Sequence, residues 1–235
     1  GRALAAAAAK EGLVAQRLHL VIFDCDGTLV DSFVANHESI VLAFQDFDRP
    51  PPPEAGLREM IGLSVAEQVV VLAPQAPPDE WLALENSYRQ HRLGRADPPE
   101  PMFPGARACL EAIDRDDILM AVATAKSAKG LRATLDRHGL HRHFVNLQTG
   151  DHHPGKPHPA MVLASLAEAG VDPENALVVG DTRFDIEMAV NAGVASFGVA
   201  WGYHNTQDLT AAGAHAIAPD FETLTKMIGE RFSLA

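Results

Sequence analysis

Four short segments of this 235-residue chain carry side chains able to do chemistry together. Asp24 and Asp26 stand two apart in Asp24-Cys25-Asp26-Gly27-Thr28, directly after the apolar run LHLVIF. Thr124 lies in VATAKS and Lys156 in HPGKPHP. Asp181 and Asp185 stand four apart in GDTRFD. Carboxylates gathered at one place repel one another unless a cation neutralises them. All-oxygen, carboxylate-rich ligation suits a hard divalent ion, magnesium above all. The chemistry on offer is therefore a metal site with a lysine and a hydroxyl beside it.

Whether these residues meet depends on the elements that carry them. Leu18 to Phe23 reads as a buried parallel strand, bounded by the acidic segment. From Ala106 onward the pattern alternates: helix Ala106 to Ile113, strand Ile118 to Ala123, helix Lys129 to His138, strand Phe144 to Leu147. Helix Pro159 to Ala169, strand Ala176 to Val179, helix Phe184 to Asn191 and strand Val194 to Val199 follow. Glycine stands just past the helices, at Gly139, Gly170 and Gly193, the expected C-terminal stop. Such alternation predicts a doubly wound parallel sheet of the α/β class. Each chemical segment then falls at the carboxyl end of a strand, where open α/β sheets bind ligands.

Between the first strand and the alternation lies a helical stretch, with helices expected over Phe33 to Phe47, Glu54 to Ile61, Ser64 to Leu72 and Asp79 to Leu93. Ser64 with Glu67 has the spacing of a capping box. The segment ADPPEPMFPG, residues 96 to 105, has the proline content of a stiff domain connection. The expected division is an Ala-rich extension over 1–17, a core over 18–32 and 98–235, and an inserted helical cap over 33–97.

Taken in order, DCDGTLVD, the threonine of VATAKS, the lysine of GKPHP and GDTRFD resemble the four motifs of the haloacid dehalogenase-like hydrolase superfamily. The place of the helical insert, between the first and second motifs, resembles the helical-cap subclass that includes phosphoglycolate phosphatases. The resemblance covers nearly the whole chain after the extension. It implies a Rossmann-like core and a magnesium-dependent phosphatase that works through an aspartyl-phosphate. By that resemblance Asp24 is the nucleophile and Asp26 the acid and base. Thr124, Ala125 and Lys156 hold the phosphoryl group. Asp24, the backbone carbonyl of Asp26 and Asp181 hold magnesium, with Asp185 direct or through water, and Gly27 and Thr28 shape the turn. Independently, a transferring phosphoryl group is held mainly by position and positive charge, which magnesium and Lys156 supply. Two carboxylates of one loop must also be separated by environment into different roles.

The substrate expected from the resemblance is a small phosphorylated metabolite, with phosphoglycolate as first guess. A sugar-phosphate mutase is the alternative within the superfamily. Haloacid dehalogenases resembling this fold lack the second aspartate, so Asp26 speaks against that activity. A phospho-accepting receiver-type signalling domain would have no reason to carry a long helical insert.

Composition narrows the partners. Hydrophobic residues make up 47% of the chain, enough to build a core and to exclude global disorder. The formal net charge is -12, which disfavours nucleic acid and anionic membrane surfaces. No apolar run reaches bilayer-spanning length. Two cysteines, Cys25 and Cys109, make neither a disulfide framework nor a zinc spacing, and suit a reducing cytoplasm. The expected state is monomer or homodimer.

Several other residues invite a role. Cys25, between the two aspartates, points away from both in an extended segment and reads as a buried small residue. His138, His141, His143, His152, His153 and His158 are dispersed over several elements and lack zinc spacing. His37, Arg58 and Ser64 of the insert read as packing residues. Lys126 and Arg183 flank two of the motifs and would either hold substrate or pair with nearby carboxylates.

Overall fold

A computed structural model describes residues 18–94 and 100–232. The Ala-rich extension over 1–17 and part of the proline-rich connection therefore lie outside the described residues. Strand β1, His19–Phe23, is followed by four helices, α1 (Phe33–Gln45), α2 (Glu54–Met60), α3 (Val65–Leu72) and α4 (Pro78–Gly94). Then come α5 (Ala106–Ile113), β2 (Ile118–Thr124), α6 (Ala128–His138), β3 (Asn146–Thr149), α7 (Ala160–Ala169) and β4 (Ala176–Gly180). The chain continues through α8 (Arg183–Asn191), β5 (Ala195–Val199), α9 (Thr206–Ala211), β6 (Ala216–Ala218) and α10 (Phe221–Arg231).

The six strands form one parallel sheet in the order β3-β2-β1-β4-β5-β6. The fold is thus the expected doubly wound α/β sheet. Period-two side-chain alternation splits the strands between two apolar layers. Val21, Phe23, Met120, Val122, Leu177 and Val179 pack on the side of α5 and α10. Leu20, Ile22, Ala121, Ala123, Ala176 and Val178 pack on the side of α7 and α8. The helices α1 to α4 have an apolar cluster of their own, built on Ile40, Phe44, Leu57, Val69 and Leu84.

The strand order reverses between β1 and β4, and such a switch point opens a crevice at the carboxyl ends. Register keeps those ends level: Phe23 lies opposite both Val122 and Val179. Asp24, Thr124 and Asp181 therefore leave the sheet on the same edge.

Three expectations change. The third strand starts two residues later than the apolar pattern suggests, at Asn146. Its Asn146 and Gln148 are buried yet satisfied. The Asn146 amide donates to the Ser165 carbonyl at 3.3 Å, and Gln148 to Glu168 at 3.1 Å. Helix α1 ends at Gln45, short of Phe47. The chain after Val199 adds two helices and a three-residue edge strand that the alternation does not extend to. The helix stops hold: Gly139 and Gly170 sit in left-handed conformation at φ 62° and 66°. Ser64 and Glu67 form the expected capping box at the start of α3.

Candidate active site

Asp24 is fixed by its backbone, whose N–H donates to the Val179 carbonyl at 2.9 Å. That bond ties the first residue past β1 to β4, and the carboxylate is almost wholly buried. The chain then turns through Gly27, at φ 86°. A Cβ there would fall 2.2 Å from Asp181 Oδ2, so the turn admits only glycine while the carboxylate stays in place. Thr28, next along, donates its hydroxyl to Asp181 Oδ1 at 2.8 Å. The other Asp181 oxygen accepts the Tyr203 backbone N–H at 2.9 Å.

Asp185 reaches the site from the third position of α8. Its Oδ2 accepts from Thr182 N at 3.0 Å and Thr182 Oγ1 at 2.7 Å, a reciprocal cap that leaves little freedom. Lys156, 1% exposed, donates to Asp24 Oδ1 at 2.8 Å and to Asp185 Oδ1 at 2.5 Å. Oxygen atoms from Asp24, Asp181 and Asp185 all lie within 4.8 Å of one another.

Three buried carboxylates against one ammonium leave excess negative charge. Burial, with Asp185 adding to it and Lys156 opposing, pushes the Asp24 pKa up to about 7. Burial, then Asp185 and Asp24, raise Asp181 well above the ordinary carboxylate range. Lys156 moves up as well: burial works against its charge, but Asp185 and Asp24 outweigh it. A hard divalent cation would relieve this arrangement, and the donor set of carboxylate oxygens fits one.

The charge imbalance has a measurable consequence. A carboxyl group whose folded pKa is raised holds a proton that the unfolded chain has released, so stability falls as pH rises. For Asp24 the window runs from the ordinary value of 3.8 to about 7. In chelator, unfolding free energy should fall across that window by up to about 1.4 kcal/mol per pH unit for such a group. Denaturation midpoints at several pH values, with and without magnesium, check this. Magnesium should flatten the slope, and equal slopes in both series would refute an ion site at these carboxylates.

Thr124 ends β2, buried, with its Oγ1 accepting the Lys126 backbone N–H at 3.3 Å. Together with Ala125 it lines a cavity of ≈ 170 Å³ that Asp24 and Asp26 face. Ile61, Leu63 and Tyr88 of the helical layer also line it. Asp26 meets Lys126, whose Nζ lies 2.8 Å from its Oδ1. Burial alone would raise the Asp26 pKa, yet Lys126 overrides it and the net shift is downward. The two aspartates of one loop are thus driven in opposite directions.

All seven residues singled out from the sequence, Asp24, Asp26, Thr124, Ala125, Lys156, Asp181 and Asp185, come to this one edge. The others take ordinary places. Cys25 is buried in the sheet's apolar layer, and burial raises its thiol pKa. His143 pairs with Asp114 at 2.9 Å, His153 with Gln148 at 2.8 Å, and His152 with Thr149 at 3.1 Å. The Arg58 guanidinium lies 3.8 Å over the Phe33 ring, and His37 stacks on the same ring with centroids 5.7 Å apart. Arg183 leans over Phe184.

Sequence reasoning passes over three contributors. Tyr203 anchors Asp181 through its backbone, and its hydroxyl donates to Asp31 Oδ1 at 3.1 Å. Gly202 clears the way, since a Cβ there would lie 2.1 Å from the Asp181 Cβ. Glu100 contacts Lys126. Nothing local in the sequence marks the Tyr203 backbone N–H or Glu100.

Comparison with known proteins agrees with this geometry. The probable phosphatase IndB of Dickeya dadantii is 33% identical over 222 residues, covering 92% of this chain and 94% of that protein. A phosphoglycolate phosphatase of Vibrio parahaemolyticus is 27% identical, covering 91% and 97%. The crystal structure of a predicted phosphoglycolate phosphatase from Haemophilus somnus superposes with a TM-score of 0.80 at 27% identity, over 92% of this chain and 99% of that one. The family model described as haloacid dehalogenase-like hydrolase matches residues 21–199. With its sheet, its four strand-end segments and these relatives in agreement, the chain belongs to the haloacid dehalogenase-like hydrolase family and stands there among phosphatases.

Proposed function

We propose that this protein hydrolyses a small phosphomonoester with the help of magnesium, and that Asp24 is the nucleophile. The observation carrying the reading is the buried contact of Lys156 with Asp24 and Asp185, next to Asp181, with Asp24 also lining a small cavity. In this reading residues 18–32 and 98–235 form the catalytic core and 33–97 the cap. Asp24, the Asp26 carbonyl, Asp181 and Asp185 hold the metal. The ion supplies positive charge to the phosphoryl oxygens and neutralises the carboxylates.

The remaining chemistry belongs to the chain. An Asp24 carboxylate oxygen attacks phosphorus as the bond to the leaving oxygen breaks, giving an aspartyl-phosphate. Asp26 gives the leaving oxygen a proton, then takes one from the water that attacks phosphorus and frees phosphate and Asp24. Lys126 favours the ionised Asp26 that the second step needs. The proton for the first step can enter with the substrate, because the second ionisation of a phosphomonoester lies near pH 6. Thr124, the Ala125 backbone and Lys156 hold the phosphoryl group in line. The cavity's size supports a metabolite over a phosphoprotein, and the charge of -12 disfavours nucleic acid.

Two relatives that carry the name phosphoglycolate phosphatase make 2-phosphoglycolate the first substrate to test. No helix among the described residues is long and apolar enough to cross a membrane, and a cytoplasmic location completes the proposal. A screen over phosphorylated metabolites, with magnesium and with chelator, should find phosphate release that chelation abolishes. Full activity after chelation would overturn the metal's part. Isomerised sugar phosphate in place of free phosphate would favour a mutase, which the same residues could serve.

A further inference from the structure

Glu100 stands where a carboxylate is costly, at 2% side-chain exposure beside the cavity. A buried acid without cations would be driven to neutrality. Here it is surrounded. Its Oε2 accepts from Arg137 at 3.0 Å and from the Thr134 hydroxyl at 3.1 Å, both on α6. Its Oε1 accepts from Lys126 at 2.9 Å and from Arg92 of α4. Arg92 is oriented in turn by Asn36 of α1, whose Oδ1 accepts its Nε at 3.0 Å and the Tyr88 hydroxyl at 3.0 Å.

The chain of contacts continues to Asp26, because Lys126 Nζ lies between the two carboxylates. A lysine side chain has four rotatable bonds and gives up much rotamer freedom when fixed. One contact with Asp26 is a weak reason to remain. Glu100, itself clamped on both oxygens, supplies the second.

We propose that Glu100 is a positioning residue: it holds Lys126 against Asp26 and joins that pair to Arg92 of the helical layer. Asp26 is then aligned only while α4 is seated on the core. The proposal rests on the reading of Asp26 as acid and base, but its structural half stands apart from it. A purely structural Glu100 would serve the seam between α4 and α6 and leave Asp26 indifferent to it.

Two measurements on Glu100→Gln separate these. Gln keeps the shape and removes the charge that holds Lys126. The expected kinetic result is a fall in kcat of about 10- to 100-fold, the scale of a misplacement near 1 Å, with KM within about threefold. Adding Lys126→Met to Glu100→Gln should cost little more, because both act through one contact. The second measurement needs no turnover: crystal structures of wild type and variant, with Lys126 Nζ leaving Asp26 in the variant. A lowered melting temperature with unchanged kcat, fully additive losses, or Lys126 still on Asp26 would each overturn the proposal. If Glu100→Gln fails to fold, Glu100→Asp keeps the charge, draws the carboxylate back by one methylene and is read by the same two measurements. If wild type releases phosphate from no substrate, the hydrolase reading falls, while the crystallographic comparison still decides whether Glu100 positions Lys126.

Discussion

Asp24→Asn should abolish turnover while the protein stays folded. In the proposed reading the substitution removes the covalent nucleophile and with it the reaction path, so the expected loss is about four orders of magnitude or more, about 5.4 kcal/mol of transition-state stabilisation. The fold should tolerate the change because Asp24 is held through its backbone bond to Val179, which Asn keeps. The substitution also removes one of three crowded negative charges, which offsets the weaker contact to Lys156. Phosphate release is measured beside a thermal melt, and rapid quenching with labelled substrate should show no phosphoenzyme. Activity above about one percent of wild type, a loss under about 2.7 kcal/mol, would exclude a nucleophilic role.

Lys156→Met should fail twice, in stability and in turnover. The ammonium is buried between Asp24 and Asp185, and removing one member of a buried charge cluster typically costs about 3–5 kcal/mol. Without metal the variant should therefore unfold well below wild type. Magnesium should restore much of that stability, because it neutralises the same carboxylates. It should not restore turnover, since the phosphoryl group has lost a fixed donor; kcat should stay down by about 10²–10³. Melting curves and phosphate release are compared with and without magnesium. A variant as stable as wild type in chelator, and within tenfold in turnover, would show that Lys156 is a bystander.

The outcome at particular residues shows what the sequence makes legible. Strands flanked by helices bury both faces, so LHLVIF and ALVV announce themselves as apolar runs, and the residues after them land on one edge. Asp24, Thr124 and Asp181 could be placed by that rule. Lys156 could be placed through its glycine- and proline-rich loop. Strand β3 could not, because its buried Asn146 and Gln148 satisfy their polarity on the Ser165 carbonyl and the Glu168 side chain of a helix that follows later. Apolar patterning is blind to a buried polar pair that is bonded to its neighbours. Glu100 was hidden for a similar reason. Its meaning comes from Arg92 of α4, Thr134 and Arg137 of α6, and Lys126 of the loop between β2 and α6. Tyr203 contributes a backbone N–H, a group that every residue except proline possesses and that no pattern singles out.

The anchoring of Asp181 by Tyr203 also bears on how the molecule is born. A ribosome delivers Asp24 before its surroundings, since β1 acquires its neighbours only when residues 118–122 and 176–179 have emerged. The support under Asp181 arrives later still, with Tyr203, whose hydroxyl then reaches back to Asp31. Contacts spanning so much chain form slowly and late. Translation that halts before this point leaves Asp181 without the backbone N–H that one of its oxygens accepts.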